Sequence, residues 1–258
     1  MNNFLPVYRR ELKSYFYSPI AYLVIVVFLL LSGLFFVMIL NDYARFSFEV
    51  IRSNYRINLP GLNVAEGIVS PLYRTFSFLL ILMMPLLTMK SFSEEKKSGT
   101  IELLFTYPIS DMALVLGKIC ALFTVYGTML GLTLFYDLFI VFFKSVPFGV
   151  TFTGLFGLSL AGCAYIALGV FISSLTENQI VAAAWSFCMI MVFWVISWMA
   201  GDSTTIFAEI LRYLSIFDHF DSFASGIIDT SDVIFYLSFI FIFVFATLRV
   251  LESRRFRG

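Results

Sequence analysis

SYFYSPIAYLVIVVFLLLSGLFFVMILN, residues 14–41, contains no charged residue between Lys13 and Asp42. A helix that crosses the hydrocarbon core of a bilayer needs about 20 mainly apolar residues, and this stretch supplies more. It is too long for a signal-peptide core, has no Ala-x-Ala-like end and leads towards another apolar run, so it reads as an anchor that stays. Five further charge-poor runs follow: 75–89 between Arg74 and Lys90, 119–136 between Lys118 and Asp137, 145–176, 178–201 beyond Glu177, and 233–248 between Asp232 and Arg249. The expected spans are about 19–41, 72–89, 112–143, 150–175, 178–200 and 232–251 of one transmembrane domain covering 1–258. The second and last runs are short, so their boundary charges should snorkel or their helices start a turn early.

Composition agrees. Of 258 residues, 60% are hydrophobic and only 13% charged, with 32 Phe and a mean hydropathy of +0.93. Such a chain cannot cover its apolar surface in water, and its fold class is all-α integral membrane with six transmembrane helices. A formal net charge of 0 gives no sign of a nucleic-acid partner. Cys120, Cys163 and Cys188 lie in apolar runs and make no disulfide framework.

Residues 3–16 form an amphipathic segment before the first span. At 100° per residue, Phe4, Leu5, Tyr8, Leu12, Tyr15 and Phe16 fall within an arc of about 120°, with Arg9, Arg10 and Lys13 opposite and Glu11 at the apolar edge. Such a helix lies in the interface with its cations towards lipid headgroups, unless it is only a frayed start to the first span. Pro19 breaks it where the chain turns into the bilayer. Eleven Lys and Arg fall on the side of the N-terminus and six on the other, which places both termini in the cytoplasm. The connections 42–71 and 202–231 are then external. In the first, Arg45, Glu49, Arg52 and Arg56 have the spacing of a helix with internal ion pairs, either solvated or a dock for an extracytoplasmic accessory protein.

The segment 90–110 is the densest cluster of charge. Ser91 and Glu94 have capping-box spacing, Gly99 suits a left-handed helix end, and Thr100 can cap a second short helix, Ile101 to Phe105, stopped by Pro108. Ser110 and Asp111 suit the start of the third span. Two short helices should therefore protrude, with Glu94, Glu95, Lys96, Lys97 and Glu102 available to a partner.

Met89-Lys-Ser-Phe-Ser-Glu-Glu-Lys-Lys-Ser-Gly-Thr-Ile-Glu-Leu-Leu104, Tyr107-Pro-Ile-Ser110 and Leu116-Gly-Lys118 together resemble the ABC-2 type permeases, most closely the subfamily associated with bacterial gliding motility. Ser173-Ser-Leu-Thr-Glu-Asn-Gln-Ile-Val181 and the block Phe217–Asp232 resemble the same subfamily. The resemblance implies the membrane subunit of an ATP-driven, export-type transporter in the bacterial inner membrane, working as a homo- or heterodimer. ATP and Mg would be bound by a separate cytosolic ATPase subunit, and this chain would bind no cofactor. It implies a coupling helix at about 91–106 that docks the ATPase through Glu94, Glu95, Lys96, Lys97, Gly99, Thr100, Glu102 and Leu103. It implies a smaller contact at Thr176, Glu177, Asn178 and Gln179, where Thr176 is otherwise simply an N-cap. It also implies re-entrant helices at about 203–228, where Ile206, Ile210, Leu211, Leu214, Ile216 and Phe217 are too apolar for a free loop.

Other chemistry lacks its residues. There is no Gly-x-x-x-x-Gly-Lys-Ser/Thr loop and no Gly-x-Ser-x-Gly elbow, and one His cannot build a His-rich metal site. His219, between Asp218 and Asp221, reads as part of a surface-facing polar turn rather than a cation ligand. Asp137 is the one carboxylate inside a span, a functional candidate by type; near the outer end and two turns before Lys144, it is expected to snorkel. A non-transporting accessory subunit that docks a cytosolic partner would carry the same docking element.

Overall fold

The computed structural model describes residues 4–52, 63–100, 102, 110–143, 148–200 and 205–255. Among them are only helices and their connections, and six of the helices are long and apolar enough to cross a membrane. The six-span, all-helical expectation is met.

Helix α1 (Phe4–Tyr17) ends at Ser18, and α2 starts at Pro19 and runs to Arg52. Its 34 residues extend about 50 Å at 1.5 Å per residue, well beyond a hydrocarbon core of about 30 Å. The charges after Lys13 and before Arg52 therefore mark where the bilayer ends, not where the helix does. Residues 42–52, assigned to an outer loop from sequence, continue α2 outward with Arg45 and Glu49 exposed; Arg56 lies outside the described residues.

A π-helical turn, Ala65–Val69, feeds α3 (Ser70–Thr88). After one residue, Met89, the chain continues as α4 (Lys90–Lys97). Helix α5 (Asp111–Phe143) starts with Ser110 Oγ accepting from the Ala113 amide at 3.3 Å. Helices α6 (Phe148–Leu175) and α7 (Gln179–Ala200) follow. Two short helices, α8 (Ile206–Tyr213) and α9 (Ile216–Ala224), precede α10 (Thr230–Arg255). Thr205 and Ser215 cap α8 and α9 through their hydroxyls, and Gly226 at φ +89° lets the chain leave α9. Helix α9 is buried through Ile216, Phe220, Phe223 and Ala224, whereas α8 buries only Ala208 and Leu211.

Helix α6 is the centre of the bundle, packed against α3, α5, α7, α9 and α10 and, at its end, α4. Small residues make this possible, as between helices in lipid generally. A Cβ on Gly162 would lie 2.1 Å from the Tyr126 ring of α5, and one on Gly169 would lie 2.1 Å from Thr88 Oγ1 of α3. Tyr126 fills this gap and donates to the Leu158 carbonyl at 2.7 Å.

Crossing order gives the bundle two distinct ends. One holds α1, α4 and the turn 176–178; the other holds α8 and α9.

Candidate coupling site

Helix α4 is amphipathic with charge on both faces. Ser91, Phe92, Ser93 and Lys96 face inward, while Glu94 and Lys97 face outward. The expected capping box does not form: the residue before α4, Met89, is itself helical and no side chain caps the start. Because α3 runs almost straight into α4, the Met89 amide still reaches the Pro85 carbonyl at 3.0 Å. The donors of the new turn are satisfied across the bundle. Ser173 Oγ of α6 accepts from the amides of Phe92 at 3.0 Å and Ser93 at 3.1 Å, and donates to the Met89 carbonyl at 3.0 Å. Lys96 Nζ donates to the Ser174 carbonyl. Gly99, at φ +70°, ends the element in the left-handed conformation expected for it.

The inner edge of α4 joins a four-charge cluster. Lys118 of α5 is 1% exposed, with its Nζ 2.9 Å from Glu95 Oε1 and 3.2 Å from Glu11 Oε1. Arg10 Nη2 lies 2.6 Å from the same Glu11 oxygen and 2.9 Å from the same Glu95 oxygen. The ammonium also sits 5.0 Å from the centre of the Phe92 ring. Two cations and two carboxylates compensate one another, as buried charges require. Burial works against the charge of Arg10, but its hydrogen bond to Glu11 and the two carboxylates outweigh this and hold its pKa above the ordinary value. Burial first, and the Glu11 carboxylate next, push the neighbouring Tyr15 phenol up, so it stays protonated.

Helix α1 is thereby fixed to the protein. Its inward stripe is Val7, Glu11 and Tyr15, one turn apart. Val7 fits against Gly117, where a Cβ would come within 2.7 Å of it, and Tyr8 and Thr124 share a hydroxyl–hydroxyl hydrogen bond of 2.9 Å. Arg9 and Lys13 remain on the exposed side. Arg10, grouped with them from sequence, is half-exposed but held by the two carboxylates.

The expectation that the charges of 90–102 are all open to a partner needs correction. Glu95, with a side chain 16% exposed, and Lys96 are occupied inside the chain. Glu94, Lys97, Gly99, Thr100 and Glu102 are exposed; Leu103 and the proposed helix 101–105 lie outside the described residues, save Glu102. The smaller element 176–179 follows the Ser173–Ser174 end of α6, so the structure brings it to the same end as α4. There Glu177 and Asn178 are exposed and Thr176 and Gln179 half-buried. Asn178, not Thr176, caps α7, accepting from the Ile180 amide at 2.9 Å; Thr176 Oγ1 instead accepts from the Asn178 amide at 3.2 Å. Sequence reasoning missed Glu11, Lys118, Ser173 and Ser174. The signal for the first was present: a lone acid at the apolar edge of a basic helix needs a cation.

Two polar residues at the opposite end also differ from expectation. His219 is buried and stacked on Phe235, 4.0 Å between ring centres. It pairs through Nδ1 with Asp232 at 2.6 Å and through Nε2 with the Tyr213 carbonyl at 2.9 Å. Asp221 instead pairs with Arg74 at 2.6 Å, fastening α9 to α3. Asp137 does not snorkel: it is 6% exposed and accepts from the Tyr73 hydroxyl at 2.9 Å. No group of three or more His, Cys, Asp or Glu that could hold a metal occurs among the described residues.

No curated protein matches the chain. The family model described as ABC-2 family transporter protein matches residues 5–253. A multi-pass helical chain without a nucleotide-binding loop, matched over nearly its whole length, belongs to the ABC-2 transporter family.

Proposed function

We propose that this chain is the permease subunit of an export-type ABC transporter, with α4 as the element through which a separate cytosolic ATPase acts. The observation that carries this reading is the construction of α4. It is fastened on its inner side to α1, α5 and α6 by Glu95, Phe92, Ser93 and Lys96, and it offers Glu94, Lys97, Gly99 and Thr100 outward. A push on the outer face would be delivered to three helices at once. Membership of a family that normally pairs with an ABC ATPase supports the same partner. The end holding α1, α4 and Thr176–Gln179 is then cytoplasmic, as the Lys and Arg asymmetry favours, in a bacterial inner membrane. ATP and Mg belong to the ATPase, and a second permease subunit, identical or not, completes the path. The length and charge of the 42–71 connection suit either a solvated helix or a dock for an extracytoplasmic accessory protein in this reading.

The test is purification of tagged chain from its host in mild detergent. A near-stoichiometric nucleotide-binding subunit should co-purify and be lost in the charge reversal Glu94→Lys with Lys97→Glu, while membrane insertion persists. A stable complex without any nucleotide-binding subunit would instead identify a non-transporting accessory protein.

A further inference from the structure

At the end of the bundle opposite α4, a groove of about 360 Å³ opens between the last turns of α5 and the first of α6. Its walls are apolar, chiefly Leu134, Phe135, Leu138, Val141 and Phe148, and these side chains are exposed outward. Two polar side chains interrupt it. Asp137 reaches the groove from the protein side with Oδ2 bonded to Tyr73, while Oδ1 is buried with no partner; Thr151 Oγ1 is likewise buried with no partner. Two unmet hydrogen-bonding atoms beside an apolar trough, at the end of a candidate membrane span, are a costly arrangement to leave empty. Nothing in the α4 cluster uses them.

We propose that this groove binds an amphiphile whose headgroup carries an ammonium or hydroxyl donor. Its acyl chain lies along Leu134, Leu138 and Val141, and a small turn of the groove side chains brings its donor to the Asp137 Oδ1 now sealed beneath them, with Thr151 beside it. The acceptor character of Asp137 selects the headgroup: an amine or alcohol is favoured, and a carboxylate would face a carboxyl oxygen. The site does not depend on the permease reading, because binding is measured without nucleotide.

The experiment uses the full chain in lipid nanodiscs with three photoreactive probes of equal chain length: a long-chain amine, a long-chain alcohol and a fatty acid. Light-driven labelling of peptides from 131–151 should favour the amine over the acid by about tenfold, the worth of one charge-assisted hydrogen bond. Asp137→Asn, which keeps the side-chain shape, should abolish that preference, and Thr151→Val should weaken labelling without reversing the order. Equal labelling by all three probes, or an amine preference that survives Asp137→Asn, would overturn the proposal. So would a disulfide between two copies through Leu138→Cys with no labelling in the assembled complex, since the groove would then belong to a second copy. Where labelling is found, the assembled transporter separates the sources: competition by host lipid extract marks a resident lipid, and loss of label during ATP turnover marks cargo.

Discussion

Lys118→Met is the sharpest test of the cluster that joins α1, α4 and α5. Methionine keeps most of the side chain's length over Phe92 and removes the charge. The ammonium lies 2.9 Å from Glu95 and 3.2 Å from Glu11, so each attraction is about 5–6 kcal/mol at an effective dielectric of about 20. Most of that is offset by desolvation, and the pair's net contribution is small. Breaking it is different, because two carboxylates that share Arg10 are left facing each other with one half-exposed cation. Removing one member of such a buried set costs about 3–5 kcal/mol. Glu95→Gln alone strands Lys118 with Glu11 and should cost about 2–3 kcal/mol. The double variant should lose less than the sum by about 2 kcal/mol. Arg10→Ala should cost less than about 1 kcal/mol, since its exposed side is screened. The assay is reversible unfolding of the purified chain in mixed detergent, with the four variants compared at one salt concentration. Additive losses for Lys118→Met and Glu95→Gln, or a neutral Lys118→Met, would refute the argument that these charges hold the elements together.

Gly117→Ala should lift α1 from α5, because the new methyl meets Val7 Cγ1 at 2.7 Å, read as faster hydrogen exchange across α1. Ser173→Ala removes the acceptor of the Phe92 and Ser93 amides and should cost about 1–3 kcal/mol, read as faster hydrogen exchange confined to the start of α4. Asp232→Asn should be tolerated, since an amide can still hydrogen-bond His219 Nδ1. Asp232→Leu strands that nitrogen and should cost about 1–3 kcal/mol, with proteolysis of α8 and α9 as the readout.

What could be read from the sequence follows from what lipid demands. A bilayer excludes charge, so six charge-poor runs locate six spans, and Pro19 and Gly99 mark chain breaks through backbone geometry that neighbours cannot change. Helix ends were less legible, because Asp42, Arg45 and Glu49 are expelled from lipid but are acceptable in a helix; α2 therefore continues to Arg52. The α4 cluster was hidden for another reason. Glu11, Glu95 and Lys118 come from three elements far apart in the sequence, and an octapeptide rich in charge gives no sign of which charges turn inward. The inward ones are fixed by complements elsewhere: Lys118 claims Glu95, and the Ser174 carbonyl claims Lys96.

Under the proposed function, that partition also decides how a partner would recognise α4. Once Glu95 and Lys96 are committed inside, the outward face of the helix keeps Glu94 and Lys97, one charge of each sign, followed by exposed Ser98, Gly99 and Thr100. Its net charge is near zero, so long-range steering by this face is weak and recognition must depend on shape and hydrogen bonds. Neutralising either exposed charge should then cost a partner less than about 1 kcal/mol, the usual worth of a surface ion pair. Reversing both places like charge against the partner's complementary groups and should break the complex. The same substitutions at Glu95 and Lys96 would act by another route, loosening α4 from α1, α5 and α6, and would lower the stability of the isolated chain. A charge reversal at Glu94 and Lys97 that destabilises the isolated chain as much as Lys118→Met does would show that the outward face is not outward.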